Sequence, residues 1–404
     1  MALDLGETIL QLDQVSQSLG LGYSDRRQRL LQLLDSAGRI SPETARERTK
    51  GFYEPFLAAE VVDTLLGEIE PLSPPVDWTA ASVDGSHIDV DRHLPVACYL
   101  VNLGGCVLTY GSRPAARFFS RPRISASQDE LFLRNPQRAS EEEAVTGNLL
   151  GLYRTVRELA ALLELVREAP SDLPVLALVD GTLVLWGLAG QSYRDFVRRH
   201  LIYEELLPVL EEFRLLSEER QVTLAAYVSL PRGSEVANAI RRCLCTYELA
   251  HCAESCSNRR SDREPCSNSN DFLDREIFGE LLQPYSRSPI YRTNSSVPRE
   301  YYGEQQQVYF YYLNVGEEIA RVEVPAWVAM NKGNGLLSLG HSLIVEQCRR
   351  GQGYPVAISE AHEQAVVTGR DRMLFRQMVE ETLERQGLPT YTSQKERSKQ
   401  RPWV

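Results

Sequence analysis

Two aspartates of this chain occupy the same kind of position, each after an apolar stretch and directly before a glycine. Asp84 lies in the phrase SVDGS, and Asp180 lies in LVDGT. A carboxylate that ends a buried strand lies at the edge of a sheet, where glycine lets the backbone turn and a cation can approach. Two such carboxylates can share a divalent metal ion, which activates water in phosphodiester hydrolysis. The alternative interpretation is that each Asp-Gly pair only opens a turn.

A segment of helical periodicity before the second aspartate carries further acidic candidates. Ser140 with Glu143 three positions later resembles a capping box, so a long helix is predicted from there to Glu168. Glu158, Glu164 and Glu168 lie on this predicted helix, and a solvated helix face is the usual position of such a glutamate.

The elements that must position these residues follow from the apolar patterning. Residues 1–70 predict a helical segment with breaks at Gly20 and Gly38, and the prolines of 71–78 end it. The domain that follows, 71–390, alternates strands and helices, which predicts the α/β fold class with a mixed sheet flanked by helices. A polar, basic tail, 391–404, is predicted to be disordered. Strands are predicted over 79–90, 95–110, 175–181, 222–230, 308–315, 319–328 and 354–358.

A polar, cysteine-rich insertion interrupts this domain over about 243–299. Four thiols in a region with few apolar residues indicate a structural zinc site, or an iron–sulfur cluster. The spacing lacks paired C-x2-C knuckles, so free cysteines in a polar loop are the third interpretation. The candidate zinc ligands are Cys245, Cys252, Cys256 and Cys266.

Composition excludes several classes of protein. The 404 residues are 43% hydrophobic and 25% charged, which is typical of globular proteins. Apolar runs are shorter than the roughly 18 residues that span a bilayer, and no signal-peptide pattern begins the sequence, so we expect a cytoplasmic protein. The net charge of −11 means that nucleic acid could bind only at local basic patches. One such patch is the predicted loop 113–123, which is either a DNA contact or a solvated basic loop.

Three phrases occur in the order found in the NurA nucleases. They are VDGSHIDVDR, a Glu-bearing helix leading into LVDGTL, and GYPVAISEAHEQAVV. The chain resembles this family over roughly residues 50–390. The resemblance implies an RNase H-like core, a homodimer, and a manganese- or magnesium-dependent exonuclease that is also expected to be an endonuclease. It further implies a hexameric HerA-type translocase as the partner in the resection of DNA double-strand breaks. The cysteine-rich insertion departs from the family pattern.

The resemblance also implies roles for five residues. The first catalytic Asp of the family falls on Asp84, the second on Asp180, and the helical Glu matches Glu158 best. A Tyr followed eight residues later by a His falls on Tyr354 and His362. In the implied two-metal mechanism, Asp84 bridges both ions, Glu158 and Asp180 complete one site, and His362 contributes to the other. Tyr354 would position a phosphate or the attacking water.

Two other acidic residues and two other functions compete with this interpretation. Asp371 is a weaker candidate. Asp89 is not a candidate, because side chains alternate between the two faces of a strand and that of Asp89 should face away from that of Asp84. A catalytically silent nucleic-acid-binding scaffold of the same fold is the rival hypothesis. An aspartyl-phosphate phosphatase would need a second Asp in D-x-D, which neither DGS nor DGT has. No Walker A loop is present, so any ATP-driven movement requires a partner.

Overall fold

The structure is a computed structural model that describes residues 4–51, 56–91, 94, 96–190, 193–245, 272–331, 333 and 335–388. The predicted basic tail and residues 246–271 of the cysteine-rich insertion lie outside these ranges. The chain divides into two compact units by its internal contacts. The smaller unit comprises 1–70, 230–295 and 310–321, and the larger comprises 71–229, 296–309 and 322–404.

The helices and strands of the described residues follow in chain order. The helices are α1 (Leu5–Gly38), α2 (Pro42–Thr49), α3 (Gln128–Leu131), α4 (Gly147–Glu168), α5 (Asp195–Arg198), α6 (Leu207–Glu219), α7 (Glu235–Leu244), α8 (Asp274–Leu281), α9 (Ser296–Tyr301), α10 (Ala326–Ala329), α11 (Leu336–Arg350), α12 (Val356–Ala365) and α13 (Gly369–Arg385). A 3-10 helix (Trp186–Leu188) and a π-helix (Arg199–Leu206) add to these. The strands are β1 (Glu60–Val61), β2 (Trp78–Ile88), β3 (Tyr99–Tyr110), β4 (Ala115–Ser125), β5 (Phe132–Asn135), β6 (Arg138–Ala144), β7 (Val175–Asp180), β8 (Val222–Val228), β9 (Tyr291–Arg292), β10 (Val308–Asn314) and β11 (Ile319–Pro325).

The first helix is longer than predicted. The Asp4 side chain caps α1 by accepting a hydrogen bond from the backbone of Glu7 at 3.1 Å, and the helix ends at Gly38 as expected. The predicted break at Gly20 is wrong because the helix continues through it. Gly20 and the nearby Gly22 each cost only about 1 kcal/mol of helix stability, which a helix of 34 residues tolerates.

The core of the smaller unit is aromatic and encloses a buried polar network. The rings of Phe278 and Tyr312 stack with centroids 4.8 Å apart. Beside them, fully buried Asp274 accepts hydrogen bonds from the backbone of Val236 and Ala237, in the first turn of α7, and from the Tyr312 hydroxyl at 2.7 Å. Asp274 therefore satisfies amide groups that a helix N-terminus leaves without partners.

The buried position of Asp274 predicts a pH dependence of stability. Burial, and to a smaller degree the charge of Glu235, raises the pKa of Asp274 from 3.8 to about 6 against the opposing effect of its hydrogen bonds. The folded state thus binds the proton more tightly than the unfolded state. Stability falls as the pH rises from about 4 to about 6, by about 3 kcal/mol at most. Urea unfolding across this range should show that decrease, and Asp274→Asn should lack it. An equal pH dependence in the variant would contradict the assignment.

The larger unit is built around a mixed sheet. Its strands lie in the order β8-β7-β2-β3-β4, so that β4 is at the edge. The pairs β2-β3 and β3-β4 are antiparallel, whereas β2-β7 and β7-β8 are parallel. Gly85 of β2 faces α4, and the neighbouring Ser86 bonds to α12, so these helices cover opposite faces of the sheet. The predicted α/β class with a mixed sheet flanked by helices is confirmed.

Three local predictions in this unit are wrong. The predicted loop 113–123 is largely strand β4, which is exposed at nearly every position and so lacks apolar alternation. The residues from Ser140 to Glu143 belong to strand β6, and the helix begins only at Gly147. The predicted strand 354–358 is a turn followed by α12, because Pro355 stands at the N-cap and starts a helix.

Strand β4 and helix α4 are joined by exposed ion pairs. The basic residues of this strand, proposed above as a DNA contact, are therefore charge-compensated. Each exposed pair contributes at most about 1 kcal/mol. The pairs are Arg117–Glu168 at 2.7 Å and Arg121–Glu164 at 3.2 Å, and just beyond both elements Arg113 pairs with Asp172 at 2.6 Å.

Candidate active site

Asp84 lies inside strand β2, not at its end as predicted, because β3 continues to pair with β2 as far as Ile88. Its Oδ1 accepts a hydrogen bond from the Gly85 amide at 2.7 Å, and its Oδ2 lies 2.8 Å from Nδ1 of His362. His362 lies within α12 and not at a strand-to-helix junction, where the predicted strand 354–358 would have placed it. Although 278 residues separate them in sequence, the fold brings these two predicted residues into direct contact.

The end of α12 that carries His362 is tied to the sheet by polar side chains. Asn102 of β3 donates hydrogen bonds to the carbonyl groups of Gln364 at 3.3 Å and Ala365 at 2.9 Å. Ser86 of β2 donates to the same Ala365 carbonyl at 2.5 Å. Asn102 and Ser86 therefore hold the helix against the strand that bears Asp84. The sequence carries no local signal for these contacts, because they join segments far apart in the chain.

Asp180 is the last residue of β7, as predicted, and Gly181 turns the chain there with a φ of +94°. Val83 of β2 and Val179 of β7 are register partners in adjacent parallel strands. The residues that follow them, Asp84 and Asp180, therefore lie side by side. The Tyr354 hydroxyl donates to Oδ1 of Asp180 at 3.3 Å. Partial desolvation and the negative charge of Asp84 raise the pKa of Asp180. The pairing of Val83 with Val179 therefore brings the two carboxylates near each other.

Glu158 of α4 is buried next to these aspartates. Its Oε1 lies 2.9 Å from Nε of Arg154, an ion pair by distance whose two atoms nevertheless lack hydrogen-bond geometry. A Cβ atom at Gly85 would lie 2.5 Å from Oε1, so only glycine leaves room for the carboxylate at this point of β2. Burial raises the pKa of Glu158 to about 8 against the effect of Arg154, with further contributions from Asp84 and Asp180. A cation beside Glu158 would therefore lower the energetic cost of ionising its carboxylate.

The remaining acidic candidates lie elsewhere. Glu164 and Glu168 are exposed on α4 and pair with arginines of β4. Asp371 caps α13 by bonding to Thr368, and Asp89 accepts a hydrogen bond from the Gly147 amide at the start of α4. These four carboxylates have structural partners and do not join Asp84. Arg154, by contrast, belongs to the site and had not been predicted from the sequence.

Carboxylate and imidazole groups are donors that Mn²⁺ and Mg²⁺ accept, so the set Asp84, Glu158, Asp180 and His362 fits such an ion chemically. Oε1 of Glu158 is buried without a hydrogen-bond partner, which also fits a missing cation. Within the described ranges, however, no three His, Cys, Asp or Glu side chains lie close enough together to hold a metal ion. In the structure, Asp84 contacts the Gly85 amide and His362, Glu158 contacts Arg154, and Asp180 contacts Tyr354.

The predicted zinc ligands lie mostly beyond the described part of the chain. Cys252, Cys256 and Cys266 fall outside it, and Cys245 is a buried free cysteine after α7. Nearby Cys243 is also buried, and burial raises the pKa of its thiol to about 11, which opposes the thiolate form that binds metal. The structural zinc site stays a prediction.

The fold and this site define an α/β protein with acidic residues beside the point where the parallel pairing of β2 and β7 ends. Residues 79–367, more than half of the chain, match the family model of the NurA domain. The chain belongs to the NurA domain family, and this membership supports a nuclease.

Comparison with solved structures finds a similar chain in the NurA nuclease from Sulfolobus solfataricus, at 13% identity and a TM-score of 0.49. That match covers 96% of this chain and 98% of the Sulfolobus chain. No curated protein matches the sequence. None of the described helices is long and apolar enough to cross a membrane.

Proposed function

We propose that the protein is a metal-dependent deoxyribonuclease that hydrolyses phosphodiester bonds at DNA ends, as an exonuclease and also as an endonuclease. The observation that carries this proposal is the convergence of Asp84, Glu158 and Asp180 at one end of the parallel strands of a NurA-family chain. The charge of Asp84 raises the pKa of Asp180, and both aspartates raise the pKa of Glu158, so a divalent cation is the natural group to offset this repulsion.

Each residue has a distinct role in the proposed reaction. Asp84, Glu158, Asp180 and His362 would hold manganese or magnesium, which supplies charge neutralisation and water activation when bound. His362 orients Asp84 through its 2.8 Å contact, and Tyr354 orients Asp180 through its hydroxyl. The ring of Tyr227 packs edge-on against Tyr354 at 5.6 Å and limits its movement. Tyr354 would position a phosphate or the attacking water.

The wider assignments of the proposal concern the core and the partners. We infer that the sheet β8-β7-β2-β3-β4 is an RNase H-like core, which is supported by its antiparallel meander followed by two parallel strands. The nuclease domain would span 71–390. We further propose a homodimer that resects double-strand breaks in the cytoplasm together with a HerA-type translocase, as the family resemblance implies.

The test is cleavage of end-labelled linear single- and double-stranded DNA with Mn²⁺, Mg²⁺ or EDTA. Wild-type protein should cleave with a divalent metal and not with EDTA. Asp84→Asn and Asp180→Asn should each lower the rate at least about 100-fold, because changes around metal ligands alone cost about 10–100-fold. Asp172→Asn is the matched control, since this exposed aspartate only pairs with Arg113.

A different outcome would favour the rival function. Wild-type protein that binds DNA but does not cleave it, even with a HerA-type translocase present, would indicate a catalytically silent scaffold. Cleavage that survives both substitutions would place the reaction elsewhere in the protein. A silent scaffold would also explain why no three candidate ligand side chains lie close together within the described residues.

A further inference from the structure

A small cavity in the larger unit lies between α4 and the edge of the sheet. Its volume is about 110 Å³. Small-molecule pockets usually measure about 300–1,000 Å³, so this cavity fits a single group such as a phosphate and not a whole nucleotide. Its wall is mainly apolar, and the lining includes three arginines and two tyrosines: Arg121, Arg123, Arg157, Tyr99 and Tyr153.

The guanidinium groups of the cavity form ion pairs with carboxylates that a ligand can replace. Arg121 pairs with Glu164 and Arg123 with Glu130, each at 3.2 Å, but both arginine side chains are more than half exposed. Exposed pairs of this kind contribute at most about 1 kcal/mol, so a phosphate can compete with the carboxylates. Arg157 holds a pair with Glu205 at 3.1 Å, yet its buried Nε has no hydrogen-bond partner.

The aromatic side of the cavity suits an unpaired base. The Tyr153 ring is partly exposed and carries the Arg157 guanidinium at 4.7 Å from its centroid. Rings and guanidinium planes of this type stack on the bases of single-stranded nucleic acid, whereas paired bases do not expose their faces. The combination therefore favours a single strand over a duplex.

Strand register relates the cavity to the candidate active site. Gly85 is the partner of Leu103, and Leu103 is the partner of Arg121. Adjacent strands lie about 4.8 Å apart, which separates the backbones of Gly85 and Arg121 by about 10 Å. A single strand that contacts both places would therefore span only a few nucleotides between them. Arg157 also neighbours Glu158 in α4, so both sites share one helix.

We propose that this cavity binds a backbone phosphate of single-stranded DNA, a few nucleotides from the bond that is cleaved, with the adjoining base against Tyr153. The inference rests on the proposed function, because it names a contact for the same substrate. Arg121 and Arg157 provide the charge and Tyr153 the stacking surface.

The experiment is fluorescence polarisation of a labelled 12-nucleotide single strand with the full chain in EDTA, over a series of salt concentrations. Arg121→Gln and Arg157→Gln should each weaken binding about tenfold, the usual effect of losing a charge-assisted hydrogen bond, and lower the salt slope by about one. Tyr153→Ala should weaken binding about tenfold through lost stacking. Glu164→Gln should tighten binding, because it frees Arg121.

Arg117→Gln is the matched control. Arg117 lies on the same strand with the same kind of exposed ion pair, but it does not line the cavity, so its loss should change affinity less than twofold. An equal loss of DNA affinity in Arg117→Gln would overturn the proposal, because it would indicate general electrostatic attraction of DNA to β4. Equal weakening on a blunt duplex, or competition by millimolar inorganic phosphate alone, would overturn the single-strand assignment. Because the assay needs no cleavage, it separates this inference from failure of the nuclease proposal.

Discussion

Glu158→Gln is expected to lower metal-dependent cleavage at least about 100-fold, because an amide is a weaker ligand than a carboxylate for a hard cation. The same substitution should stabilise the metal-free protein at alkaline pH. The pKa of Glu158 is raised from 4.5 to about 8, so the folded state holds the proton more tightly and loses stability as the pH rises between these values. Gln removes this loss, a gain of up to about 4 kcal/mol at pH 8 and none at pH 4.5.

Urea unfolding in EDTA at both pH values, combined with the cleavage assay, measures the two effects. Loss of the ion pair with Arg154 will offset part of the gain. Glu168→Gln is the control on the same helix, because Glu168 is exposed and its replacement should change stability by less than about 0.5 kcal/mol. Undiminished cleavage by Glu158→Gln would remove Glu158 from the site. A lower free energy of unfolding for the variant at pH 8 would show that the ion pair with Arg154 stabilises the protein by more than burial of the Glu158 carboxylate destabilises it.

Arg321→Met is expected to destabilise the protein more than any exposed charge substitution. In the smaller unit, Arg321 and Glu235 form an ion pair of 2.7 Å with each side chain only 6% exposed. Removing one member of a buried pair leaves the other charge uncompensated and costs about 3–5 kcal/mol. Thr293 donates to Glu235 as well, but a neutral hydroxyl does not balance its charge.

A double variant separates the buried charge from the lost packing. Arg321→Met with Glu235→Gln should recover most of the free energy of unfolding, because no uncompensated carboxylate is then left at position 235. Arg39→Met is the control, since Arg39 and Asp35 form an exposed pair that contributes about 0.3–0.5 kcal/mol. If Arg321→Met costs less than about 1 kcal/mol in urea unfolding, the buried pair is not a main support of this unit.

The sequence predicted the strands that bear the aspartates better than their surroundings. The run from Val175 to Asp180 is a strand because a continuous apolar segment of that length is buried on both faces of a sheet. Strand β4 escaped prediction because it is held by backbone pairing with β3 and has almost no buried side chains to create a pattern. The start of α4 was misplaced because Glu141 to Glu143, which resemble helix-starting residues, are paired with β5.

Side-chain contacts within the candidate site depended on the tertiary fold. Glu158, Glu164 and Glu168 share one helix and one chemistry, and only burial against β2 distinguishes Glu158 from the other two. The family resemblance favoured Glu158 without that physical reason. No sequence pattern predicted Arg154 or Asn102, because each acts on an element distant in the chain or on a buried neighbour. The catalytic roles of the site residues stay predictions until the variants are measured.

The exposed edge strand β4 has a further consequence, for self-association. A long edge strand offers unpaired amide and carbonyl groups on which a strand of another molecule can grow. Pro122 withholds one amide, and the arginines along β4 place positive charge where a second copy of the strand would lie. Removing Arg121 to probe phosphate binding also weakens this protection. Such variants should aggregate more readily on heating, and light scattering would detect it.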